Sequence, residues 1–307
     1  NFGPLSVGDA SGDLAVTYTA TNAGDLLPGQ SIAVVNNFAN VAGQTIEITG
    51  TAFRFAAPTV ASPNPIVFGN SHVGDTVEQI LSIANDVPDD GFSEALNARF
   101  GASIGSVTPD GIINLLEPGA SDSSSLTVRL NTQSAGARTG SVPLILESDG
   151  AGSSGLGITS LNEPQTVNVS GNVYRLATPA PIAPNPIEFG IVHVGDAVSP
   201  MAITVQNAAP ADGFSESLDA DFGTVSVGIT PVGMEIDNLG AGGTDSTSLQ
   251  LSLDTDSAGI VDGQVSVDFA SDGTGTSELG SSPLTPQTVA VTAQVNNFAN
   301  PILEQTS

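Results

Sequence analysis

The sequence predicts an all-β chain: tandem antiparallel β-sandwich modules of ~120 residues, a whole-domain size, joined by proline-rich linkers. Three observations carry this. Pro63-Asn64-Pro65-Ile66-Val67-Phe68-Gly69 through His72-Val73-Gly74-Asp75 returns as Pro184-Asn185-Pro186-Ile187-Glu188-Phe189-Gly190 through His193-Val194-Gly195-Asp196, and the two histidines fall 121 positions apart (72 to 193). A solenoid turn spans only about 20–50 residues. Apolar residues then alternate with polar ones over short stretches, the period of a half-buried strand. Finally, the 3.6-residue period of an amphipathic helix is nearly absent, and Ser, Gly, Asp and Asn clusters punctuate the stretches as turns.

Each element follows from that alternation. Leu126, Val128 and Leu130 alternate with Thr127 and Arg129; Leu249, Leu251 and Leu253 repeat the pattern, and Leu14, Val16 and Tyr18 give it a third time. The next strand recurs as Val142, Leu144 and Leu146, as Val265, Val267 and Phe269, and as Ile32 and Val34. The last recurs as Val167 and Val169, Val289 and Val291, and Ile46 and Ile48. Turns fall at Ser134-Ala135-Gly136 and Ser148-Asp149-Gly150. The opening strand is expected over Pro65–Gly69, and Phe68, Phe189, Phe100 and Phe222 recur in register as core residues. Phe92-Ser93-Glu94-Ala95-Leu96 is the best helix candidate, at one or two turns.

The repeat divides the chain into residues 61–178 and 179–297 as complete modules, residues 1–60 as the back half of a module, and 298–307 as a tail or the start of another element. Half a sandwich exposes its inner apolar face, so the first unit is expected to be completed by preceding residues or by strands donated from another molecule. Proline favours extended backbone, so the joints containing Pro63, Pro65, Pro184 and Pro186 are expected to be semi-rigid. Arg54 and Arg175 precede them at equivalent positions. With five basic side chains in the whole chain, two placed there are expected to reach acidic partners and limit bending.

Composition excludes several function classes. The net charge is −27, with no Lys and no basic patch to meet phosphates, so nucleic-acid binding is not expected. Adsorption to an anionic membrane is disfavoured on the same ground. No apolar run reaches the ~18–20 residues of a spanning helix, so this segment should not insert into a membrane. There is no Cys, hence no disulfide framework. Such acidity keeps a chain soluble and attracts cations.

Chemistry-bearing residues are few. His72 and His193 sit in equivalent turns with Asp75 and Asp196, too few ligands for zinc and too far apart in sequence for a catalytic triad. No convergent acid–base set is legible, so the chain is expected not to be an enzyme. The candidate Ca2+ loops are Asp89, Asp90 and Glu94 in one module and Asp212 and Glu216 in the other; they supply oxygens of the type calcium takes, without EF-hand spacing.

The Phe-Gly-x-x-His-Val-Gly-Asp run, followed by a strand ending in Asn85 or Asn207, resembles the ASH/hydin type of immunoglobulin-like domain. Asp212-Gly213-Phe214-Ser215-Glu216, Ser257-Ala258-Gly259 and Ser271-Asp272-Gly273 are similar to bacterial choice-of-anchor D repeat proteins. The resemblance covers roughly residues 10–297 and implies secreted or cell-surface proteins of tandem immunoglobulin-like sandwiches, with no catalytic residues. The expected function is therefore an extracellular bacterial stalk or fibre, self-associating into a filament by strand complementation. The alternative is a calcium-dependent adhesin or ligand-binding module of a larger surface protein.

Overall fold

The computed structural model describes residues 15–35, 41–161 and 165–303, and every regular element among them is a strand. In the first complete module one sheet runs in the order Ile112–Leu116, Ala95–Phe100, Gly136–Asp149, Gln165–Tyr174 and Ile66–His72. Opposite it lie Val107–Asp110, Thr127–Leu130 and Glu78–Ile80, and a second short set of Ser121–Asp122, Ile83–Asn85 and Pro58–Val60. The other module repeats this, with Ile187–His193, Gln287–Asn296, Gly259–Asp272, Ser217–Val225 and Ile236–Leu239 in its larger sheet. This is a tandem immunoglobulin-like β-sandwich architecture.

Alternation explains the long strand Gly136–Asp149. Val142, Leu144, Leu146 and Ser148 are buried while Pro143, Ile145 and Glu147 between them are only half-buried, and its two halves pair with different strands, Gln165–Tyr174 and Ala95–Phe100. Each module closes its own core. Ile66, Leu81, Leu96, Leu126, Leu144 and Val169 cluster in one, and Ile187, Ile203, Leu218, Leu249, Val267 and Val291 in the other. Phe68, Phe100, Phe189 and Phe222 pack against these clusters at the rim, partly buried.

Three expectations change. Phe92–Leu96 forms no helix: Ser93 makes a strand bridge to Arg54, and Ala95 opens a strand. Glu94 and Leu96 are both buried with half-exposed Ala95 between them, a period of two that no helix could satisfy. Residues 15–20, around Val16 and Tyr18, are irregular and exposed, and Leu14 lies outside the described residues. In the complete module the corresponding strand is held between Val107–Asp110 and Glu78–Ile80, and no counterpart of either stands beside residues 15–20 among the described residues. The linkers are also less free than proline content implies. Pro58–Val60 pairs with Ile83–Asn85, and Ala56 is buried in the core, so this segment is part of the sandwich that follows it.

The order of the last strand positions the joint. Ile66–His72 runs parallel to Gln165–Tyr174, with Ser71 beside Val173 and His72 beside Tyr174. Both strands therefore end together at one pole of the module, where Arg175 leads into the next sandwich.

Candidate functional site: the joint between modules

Arg175 continues the last strand into the following module. Its N–H donates to Phe214 O at 2.9 Å, and its carbonyl accepts from Glu216 N at 3.0 Å. The first joint repeats both bonds: Arg54 N donates to Phe92 O at 2.8 Å and Glu94 N to Arg54 O at 3.0 Å. A buried edge segment is thus paired across each boundary, as strands require when water is excluded. Aromatic rings flank the pairing, Tyr174 with Phe214 at 5.6 Å and Phe53 with Phe92 at 6.0 Å between centroids.

The arginine side chains then close on an aspartate. Arg175 Nη1 donates to both oxygens of Asp212, at 2.9 and 2.8 Å, and to Ser215 Oγ at 3.2 Å. Arg54 Nη1 meets Asp90 at 2.9 and 2.7 Å and Ser93 Oγ at 3.2 Å. The same aspartates accept from the backbone two residues on, Phe92 N and Phe214 N. The Arg54 hydrogen bond, with help from Phe92 N–H, holds the Asp90 carboxyl below its ordinary 3.8; for Asp212 the Phe214 N–H leads and Arg175 follows.

Because folded values are depressed, the contribution of these carboxylates is full above the ordinary value. It is lost only as pH falls through the lowered one. Small-angle scattering of the chain should therefore show unchanged dimensions from pH 7 down to about 4.5, with expansion starting only in stronger acid. Expansion already at pH 5 to 6 would contradict the assignment.

Beneath each clamp lies a buried glutamate. Glu216 accepts from Ser271 Oγ at 2.6 Å, from Ser277 Oγ, and from His72 Nε2 of the preceding module at 2.8 Å. Glu94 accepts from Ser148 Oγ at 2.7 Å and from Ser154 Oγ. The glycine after each Ser-Asp pair makes room for this cluster. A Cβ on Gly273 would collide with Ser277 Oγ and lie 2.7 Å from Glu216 Oε1, and Gly150 is equally crowded by Ser154 and Glu94. Asn70 Nδ2 adds a cross-joint bond to Ser277 O at 2.7 Å.

Most of the residues expected to form calcium loops have partners within the protein. Asp90 and Asp212 are engaged by arginine, Glu94 and Glu216 are buried among hydroxyls, and Asp89 is exposed. Among the described residues no group of three or more His, Asp or Glu is placed to hold a metal ion. Pro63, Pro65, Pro184 and Pro186 bracket Asn64 and Asn185, whose amides bond the last strand of their own module; these prolines sit at the entry of the first strand. Sequence reasoning missed His72 as a cross-joint group and both glutamates as interior ones. The recurring signal was Glu with Ser-Asp-Gly some 55 residues on, a pairing that only the folded sheet explains. His193 occupies the His72 position in its own module, 3.7 Å from Asp196 and stacked on Phe298 at 4.3 Å.

Fold and joints together define the chain as a tandem array of immunoglobulin-like β-sandwiches joined by paired backbone and buried polar contacts. No family model and no curated protein matches it. Among solved structures it is similar to a protein of unknown function from Porphyromonas gingivalis W83, at 14% identity and a TM-score of 0.26, covering 77% of this chain and 99% of that one. It is also similar to the ASH/PapD-like domain 7 of human CEP192 (11% identity, TM-score 0.28, 39% and 87% covered) and to the Salmonella enterica SafA pilin in complex with the SafB chaperone (9%, 0.23, 78% and 98%). No helix among the described residues is long and apolar enough to cross a membrane.

Proposed function

We propose that this chain is an extracellular structural protein, a segment of a bacterial surface stalk or fibre that self-associates by strand complementation. The observation that carries this reading is the repeated joint. Two boundaries in one chain carry the same Arg–Asp–Ser contact and the same two backbone bonds, at distances that agree within about 0.2 Å. A slack linker would let modules reorient independently. A built contact at each boundary instead suits an element that transmits position or load along its length. The charge of −27 keeps such an element from random aggregation.

The test combines scattering and localisation. Arg54→Ala should broaden the distribution of dimensions of the intact chain, and Arg175→Ala should do so to a smaller extent, because the second joint also holds the His72–Glu216 contact. Antibody-gold labelling of source cells should decorate the outer surface. Cytoplasmic labelling, or scattering unaffected by both substitutions, would sink the reading.

A further inference from the structure

In both complete modules the first strand opens with Asn-Pro-Ile and is seated the same way. Asn64 Nδ2 donates to Thr166 O at 2.7 Å while its Oδ1 accepts from Asn168 N at 3.0 Å; Asn185 holds Thr288 O and Ala290 N, both at 3.0 Å. Two residues on, Ile66 and Ile187 are 3% and 0% exposed, opposite Val169 and Val291. An asparagine clip at the backbone and an isoleucine in the core therefore define what this edge accepts.

Gln44-Thr45-Ile46-Glu47-Ile48 is a third copy of the receiving strand, Gln165–Val169 and Gln287–Val291. Gln44–Glu47 pairs on one side with Ser31–Val34. Ile48 N–H bonds back to Gln30 O at 2.9 Å, so by the antiparallel alternation the N–H and C=O of Thr45 and Glu47 face the other edge. Among the described residues no strand lies there. At Gly171 a Cβ would meet Gly69 and Phe68 of the first strand and Leu130 of the facing sheet; at its counterpart Gly50 nothing comes within 4 Å. Tyr18, Leu26, Ile48 and Ala52 line a cleft at that place.

The chain carries one more Asn-Pro-Ile. Asn300-Pro301-Ile302-Leu303 follows the last module, with Ile302 85% and Leu303 97% exposed. The likeness ends there, since Phe68 and Phe189 correspond to Glu304. Two complete modules stand between this segment and Gln44 in the same chain, which favours a second molecule as the acceptor.

We infer that Asn300–Leu303 of one copy adds to the open edge of Gln44–Glu47 of a second copy as a parallel strand. The Asn300 amide clips Thr45 O and Glu47 N, Ile302 enters the cleft opposite Ile48, and Leu303 lies beside Thr49. This rests on the self-association in the reading above and names its contact. Affinity comes from main-chain bonds and register from the two side chains. Like-charged chains repel, so association strengthens as salt screens them.

The absence of Cys makes the test direct. A chain with Thr49→Cys is mixed with a chain with Leu303→Cys under mild oxidation in moderate salt. The mixed disulfide dimer should exceed either homodimer at least about tenfold, as a specific register requires. Adding Ile302→Asp to the Leu303→Cys chain should bring the yield down to the homodimer level. The double variant Thr49→Cys, Leu303→Cys should give a ladder of multimers. A mixed yield no greater than the homodimers overturns the proposal, as does a double variant that closes into a cross-linked monomer. Light scattering of the unmodified chain separates the failures. Multimers without this cross-link would refute the tail contact and leave a fibre standing; a monomer at every concentration, with no cross-link, would remove self-association while the stalk reading still rests on localisation and joint stiffness.

Discussion

Asn207→Ala should destabilise the second complete sandwich by about 3 kcal/mol or more while leaving the unfolding transition of the first in place. Asn207 is fully buried. Its Oδ1 accepts from Thr178 N at 3.1 Å and Ala209 N at 3.2 Å, and its Nδ2 donates to Glu216 O at 3.0 Å and Leu239 O at 3.1 Å. One side chain thus satisfies four backbone groups from the linker, the joint segment and an edge strand. Alanine satisfies none of them, and each buried orphan costs roughly 1–3 kcal/mol. Asn85 makes the equivalent bonds to Ala57 N, Glu94 O and Leu116 O, so Asn85→Ala should move the other transition instead. Asp at either position restores the acceptor and not the donors, and should recover only part of the loss. Denaturant unfolding followed module by module gives the numbers. A cost under about 1 kcal/mol would mean that water replaces the amide, and would remove this residue from the account of what fixes the joint segment.

The strands were legible because one face of each is buried: Leu126, Val128 and Leu130, or Val265, Val267 and Phe269, read directly as period two. The partners were less so. Asn85 and Asn207 could be seen as recurring strand ends, yet nothing in the sequence says that an amide will bridge a linker to the joint segment and an edge strand. Arg54 and Arg175 stood out because basic side chains are scarce here. His72 was read as a turn residue because its partner Glu216 lies 144 positions away in the next module, and spacing carries no information across a boundary. Glu94 and Glu216 read from the sequence as calcium-loop oxygens, because a carboxylate is rarely buried unless paired. Their hydroxyl partners come from the sheet interior, where Ser148 and Ser271 sit at buried positions of otherwise apolar alternation. The helix reading of Phe92–Leu96 failed for the same reason, since Glu94 occupies an inward strand position next to Leu96.

Glu216→Ala is expected to cost the second complete sandwich about 3 kcal/mol and to loosen the joint at the same time, because the two effects share one carboxylate. Taking a carboxylate out of water is repaid only by hydrogen bonds, and here two serine hydroxyls and an imidazole supply them. Removing it leaves Ser277 and His72 without their acceptor and opens a void at the base of the clamp. Glu94→Ala should destabilise its own module less, because among the described residues it is held by Ser148 and Ser154 with no imidazole counterpart. The cross-joint part can be isolated by a double-mutant cycle. His72→Ala should cost about 1–3 kcal/mol in the parent chain, the range for a buried group left without its partner, and close to nothing when Glu216 is already Ala. A coupling below about 0.5 kcal/mol is the additivity expected of independent sites; it would show that the two modules touch at His72 without depending on it, and would leave Arg175–Asp212 as the contact that sets their orientation.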